Sequence, residues 1–154
     1  MKFLKFLGVV AVVIFALLIT KIVSSEINYN IQKRVAVSAI GNSDKVELVI
    51  TDDDWDVKTV EVSNKSDADK LKQLCSAITG YDFFNDSDLS CGYYEGYAVK
   101  FINTKDNSEI LVCPALDGCG SMQVGEIIFT INHNTTRKEF DKIVKKYGMD
   151  FPWV

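Results

Sequence analysis

The sequence predicts an α+β protein: an N-terminal hydrophobic helix, then a two-layer domain of about six mainly antiparallel strands with two amphipathic helices on one face. Three observations carry this. The chain opens with a run from Phe6 to Thr20 that is almost wholly apolar and holds no charge, set between Lys5 and Lys21. Short segments after it alternate apolar and polar residues, the period of a half-buried strand. Two later segments repeat apolar residues at i, i+3, i+4 and i+7, the stripe of a one-sided helix.

The opening run has the form of a signal anchor or a signal peptide. Residues 3–23 are long enough to span about 30 Å of hydrocarbon as a helix. Lys2 and Lys5 keep the N-terminus in the cytoplasm by the positive-inside rule, so everything from about Glu26 onward lies outside it. Lys5 and Lys21 can extend their amines to the headgroups at either end. Val23 and Ser25 are small enough for a cleavage site after Ser25, against which Lys21 stands in a normally neutral position. The expected organisation is therefore residues 1–25 as anchor or signal peptide and residues 26–154 as a single extracytoplasmic domain. The product is membrane-anchored, or secreted if cleaved after Ser25.

Past the anchor, Ile27, Tyr29, Ile31, Val35, Val37 and Ala39 keep one parity and read as a long strand or a tether leading into one. Gly41 to Asp44 is a turn cluster. Val46, Leu48 and Ile50 mark the next strand, and Val60 and Val62 a third. Ser66 with Asp69 resembles a capping box, opening a helix with Leu71, Leu74, Cys75 and Ile78 on one side and Gly80 as its stop. Tyr97, Val99 and Phe101 alternate as a strand. The Lys105–Ser108 turn returns the chain through residues 110–115, and residues 127–131 form the last strand. Thr136 with Glu139 fits a capping box for a final helix carrying Phe140, Ile143, Val144 and Tyr147, ended by Gly148.

Composition narrows the function. Residues 1–25 hold three of the 17 basic residues and none of the 21 acids, so the remainder carries a formal net charge of −7. Such a surface is a poor match for phosphate backbones, and Arg34 and Arg137 are the only arginines for reading bases. Nucleic acid is excluded as a partner. All four cysteines, Cys75, Cys91, Cys113 and Cys119, fall in the outer part, where an even count suggests disulfides. Loop closure favours Cys113 with Cys119 and Cys75 with Cys91, while Cys75 also fits the core side of its helix as a thiol. A zinc site lacks the usual cysteine spacing and a second histidine. No cofactor motif is found, and no metal site is expected: a calcium loop counted from Asp86 has Cys91 at the glycine position and Tyr97 at the bidentate glutamate position.

The irregular stretch 81–96 is longer than most connections in a compact domain, a length that often marks function. Its aromatic residues Tyr81, Phe83, Phe84, Tyr93 and Tyr94 form a candidate binding surface, because such side chains give large contact area at low entropic cost. Catalytic residues are not evident. The expectation is a non-enzymatic extracytoplasmic binding or interaction module held at the membrane, its protein or small-molecule partner unspecified. The alternatives are a thiol-dependent hydrolase using Cys119 and His133, the only histidine, or a secreted inhibitor domain.

Overall fold

In the computed structural model, backbone structure is described for residues 2–51, 56–81, 96–116, 120–125, 127–131 and 133–151, and side chains for these except 2–12, 81 and 133–135. Helix α1 runs from Lys2 to Asn42. Strands β1 (Lys45–Thr51) and β2 (Val57–Glu61) precede helix α2 (Lys65–Ser76). Strands β3 (Ile78–Tyr81), β4 (Tyr97–Asn103), β5 (Ser108–Pro114), β6 (Ser121–Val124) and β7 (Ile127–Ile131) lead to helix α3 (His133–Lys146). The protein is α+β, and the seven strands among the described residues form one antiparallel sheet of order β2-β1-β4-β5-β6-β7-β3. Two compact units divide between Lys33 and Arg34, inside α1.

Four expectations are corrected. The stretch read as a strand or tether, Ile27 to Ala39, is helical throughout. In the second unit Ala36 and Ile40 are buried while Val35 is exposed, so burial follows the i, i+4 spacing of a helix rather than the parity of a strand. Helix α2 is capped by Asn64, whose side chain accepts the Asp67 N–H at 3.2 Å, not by Ser66; Asp69 instead pairs with Lys65. The same helix ends at Ser76, with Ala77 as its C-cap. Ile78 and Gly80 belong to β3, an edge strand, and Gly80 ends no helix. The count of about six strands becomes seven among the described residues, since the Ile27–Ala39 stretch leaves the count and β3 and β6 join the sheet.

The strand register sorts the sheet's two faces. Leu48 pairs with Val99, Val99 with Val112 and Val112 with Val124; one pairing step along, Val46 pairs with Phe101 and Phe101 with Ile110. Leu48, Val99, Phe101 and Val112 are buried, as are Met122 and Phe129, which oppose each other across β6 and β7. Tyr97 lies on this face and meets the Phe151 ring at 5.6 Å, edge-on; Phe151 in turn meets Phe140 of α3 at 5.5 Å. The opposite face carries a smaller buried cluster, Val49, Ala98 and Cys113, with Leu111 packed against it. Beside that cluster, Lys45 bridges Glu47 at 2.7 Å and Glu61 at 3.3 Å, and Lys100 bridges Glu109 at 3.6 Å.

Turn chemistry fixes the remaining connections. Asn107 takes φ 57° in the β4–β5 turn, a left-handed geometry that asparagine tolerates. Gly125, at φ 60°, closes the short β6–β7 hairpin in which Val124 opposes Ile127. Gly148, at φ 70°, ends α3 as predicted. Its N–H donates to Lys145 O at 3.1 Å and the Met149 N–H to Val144 O at 3.3 Å, the two bonds of a Schellman ending.

Two outcomes follow. A Cβ at Gly80 would stand 2.6 Å from Thr130 Oγ1 on the neighbouring strand. Gly80→Ala therefore destabilises the domain by about 1–3 kcal/mol in chemical denaturation, and adding Thr130→Ala returns part of that loss. Asp44 accepts the Thr104 hydroxyl at 2.6 Å and the Thr104 N–H at 2.9 Å. These bonds, the hydroxyl's first, hold its carboxyl below the usual value. A carboxylate lowered in the folded state adds stability above its unfolded value, near 4, that is lost as pH falls through the lowered folded value. Asp44→Asn should flatten the fall in melting temperature as pH drops below about 4, relative to the parent chain.

Candidate functional site

The described residues place a cleft of about 390 Å³ between α2 and α3. Its walls carry Asp67, Asp69 and Lys70 from α2 and Glu139, Lys142 and Lys146 from α3, with Ile143 also lining it. The two helices come together because each buries one stripe: Leu71, Leu74 and Cys75 from α2, and Phe140, Ile143 and Val144 from α3. Their polar sides then meet along the rim.

Asp67 organises one end of this rim. Its carboxylate accepts Lys146 Nζ at 2.9 and 3.1 Å and the Tyr147 hydroxyl at 3.4 Å. The Tyr147 oxygen also accepts the Asn64 N–H at 3.2 Å, so the end of α3 is tied to the N-cap of α2. The hydrogen bond to Asp67 raises the Lys146 ammonium above its usual value, and a carboxylate in the first turn of α2 also suits the helix dipole. Lys145 also bridges Asp141 at 2.9 Å, and Lys65 bridges Asp69 of the cleft wall at 2.7 Å. The cleft presents cations and carboxylates close together, with much of the charge paired within the protein. Such a lining suits a polar or zwitterionic contact better than a bare ion of either sign.

The residues singled out from sequence fare differently. Tyr81 ends β3 at the sheet edge, its side chain outside the described residues. Phe83, Phe84, Tyr93 and Tyr94 lie outside the described residues, as do Cys91 and Cys119. The described ends of the aromatic stretch are well separated: β5, β6 and β7 stand between β4 and β3. His133 is the first residue of α3, its side chain outside the described residues. Cys113 is buried on the sheet face opposite Tyr97. Cys75 is a buried free thiol, and its candidate partner Cys91 lies outside the described residues. Among the described residues no group of three or more His, Cys, Asp or Glu could hold a metal.

Sequence reasoning missed the α2–α3 cleft. The signal was present as charges on the outer sides of both helices, but which outer sides adjoin is a tertiary fact. Comparison with protein families, with curated proteins and with solved structures gives no match, so the site is argued from its own chemistry.

Cys75 is excluded as a nucleophile, because burial pushes its thiol up to about 12 and the thiolate is the reactive form. Native protein treated with iodoacetamide at pH 8 should leave Cys75 unmodified by peptide mass mapping, and full labelling should appear only after unfolding.

Proposed function

We propose that this chain is a non-enzymatic binding or interaction module, held at the membrane by residues 3–23 with its sheet domain outside the cytoplasm. In this reading α2 and α3 share one face of the sheet, so their cleft and the aromatic stretch from Tyr81 to Tyr94 are the surfaces offered to a protein or small-molecule partner. The supporting observation is α1 itself. It is a single helix of 41 residues, and Val13, Ile14, Phe15, Leu17, Leu18, Ile19, Ile22 and Val23 are exposed along it. An exposed run of that density is costly in water, at roughly 25 cal/mol per Å² of apolar surface, and is satisfied by hydrocarbon. Among the described residues no helix is long and apolar enough to cross a membrane; the side chains of residues 2–12, which include the first part of the apolar run, lie outside them.

The basic residues at Lys2 and Lys5 give the orientation, and the acidic balance beyond residue 25 suits a domain facing away from anionic lipid. The α2–α3 cleft supports recognition rather than chemistry, since its carboxylates and ammonium groups largely neutralise one another.

In membranes from the native host the chain should resist carbonate extraction, and external protease should digest the domain in intact cells. Carbonate release, or protection from external protease, would sink the reading. Replacing Phe83 and Phe84 together by Ser should abolish photo-cross-linking to the bound partner while melting temperature moves by no more than a few degrees; a large fall would place those rings in the core.

A further inference from the structure

Past its apolar run, α1 enters a stretch with little to hold it helical. Among residues 24–32 only Glu26 and Gln32 are strong helix formers; the others are serine, asparagine, isoleucine and tyrosine. No residue from Ser24 to Val35 is buried. Burial along α1 begins only at Ala36 and Ile40, inside the second compact unit. Asn30 Nδ2 donates to Glu26 O at 2.9 Å, and Lys33 Nζ lies 5.9 Å from the centre of the Tyr29 ring. Both contacts join residues one turn apart on the same helix, so both are lost when that turn opens. A helical stretch without tertiary packing opens at low cost.

This stretch ends on a pair of basic residues, Lys33 and Arg34, with no other lysine or arginine between Lys21 and Lys45. The chain holds three such adjacent pairs. Arg137–Lys138 and Lys145–Lys146 both lie in α3, whose stripe of Phe140, Ile143 and Val144 is buried. Lys145 and Lys146 are further engaged by Asp141 and Asp67. Of the three pairs, Lys33–Arg34 is the one that follows directly on an unpacked helical stretch.

We propose that Lys33–Arg34 is a processing site, at which an extracytoplasmic endoprotease selective for basic residues frees the sheet domain from its anchor. The proposal rests on the anchor reading above. Such an enzyme receives the lysine or arginine before the cut in a pocket that carries a carboxylate. The peptide bond after Lys33 or Arg34 breaks; water gives its hydroxyl to the carbonyl carbon and a proton to the released amine, and no other reactant is needed. A protease takes its substrate extended, so the helix must open first. The rate of cutting then follows the open population that the weak stretch supplies. The cut leaves the domain intact: every buried hydrophobic residue among the described ones, from Ala36 onward, stays with the released product.

The test follows the full chain, tagged at its C-terminus, in its native host. Membrane and soluble extracytoplasmic fractions are separated, and the N-terminus of any soluble product is read by mass spectrometry. A product beginning at Arg34 or Val35 is expected beside the membrane-bound chain. Lys33→Gln with Arg34→Gln should abolish that product and leave the membrane-bound chain in place. Asn28→Ala with Asn30→Ala keeps the basic pair but strengthens the helix, and should lower release about five-fold. A soluble full-length chain, or a product beginning at Glu26, overturns the anchor and the processing site together. A chain found wholly in the membrane fraction, or a soluble product with any other N-terminus, overturns the processing site alone. Release that is unchanged in either double variant overturns it as well.

Discussion

The structure depends on strand register. Side chains alternate across a sheet with period two, so a slip of one residue exchanges its faces. Here that exchange would be ruinous. On the face that meets Phe151, Leu48, Val99, Phe101 and Val112 are sealed from water. Their immediate neighbours on the opposite face include Glu47 and Lys100, engaged in ion pairs at the surface. Slipping β1 or β4 would drive those charges into the core, at a cost far beyond the modest gain of any surface ion pair. The charged residues thus act mainly by forbidding the wrong register, and the apolar rows reward the right one.

A second set of interactions fastens the helices to that sheet. Ser43, just past α1, is buried and donates its hydroxyl to Ile40 O at 2.7 Å, while its own carbonyl accepts Lys72 Nζ from α2. The next residue, Asp44, donates its N–H to Ile102 O at 2.9 Å and holds Thr104 with both carboxylate oxygens. Two consecutive residues therefore join the last turn of α1, the start of β1, the end of β4 and the middle of α2. At the other end Tyr147 and Lys146 converge on Asp67. Helices α2 and α3 are each pinned by polar contacts near one end and by an apolar stripe along their length, which is how one-sided helices acquire a unique position on a sheet.

What was legible in the sequence follows from which signals are local. The stripe of α3 and its glycine stop are both local, and both appear in the structure, as does the turn around Asn107. The end of α2 was misjudged because Ile78 satisfies two periods at once: it continues the helical stripe at i+7, yet it is the first residue of a strand. Gly80 was read as a helix stop when its use is steric, a close pass by Thr130. Strand β6 escaped notice because it is four residues long and its hairpin turn needs only Gly125 and one residue more. The Ile27–Ala39 stretch defeated parity counting because its odd positions, Lys33 apart, happen to be apolar, while Ala36 and, just beyond the stretch, Ile40 are buried, even-numbered and one turn apart. The α2–α3 cleft was beyond reach for a different reason. No local period says which two polar surfaces will face each other.

The cysteines show why residue counts and residue environments must be weighed separately. Four cysteines in an exported chain argue for cross-links, because an oxidising compartment converts accessible thiols to disulfides. Cys75 escapes that argument by position. It lies on the stripe of α2 with Leu71 and Leu74, buried, and oxidation proceeds through the thiolate, which burial there suppresses. A thiol so placed behaves as a small apolar side chain, and its packing, not its redox chemistry, explains its presence. Cysteine count and cysteine environment are therefore separate arguments: a buried position on the stripe of α2 accounts for Cys75 without a bridge.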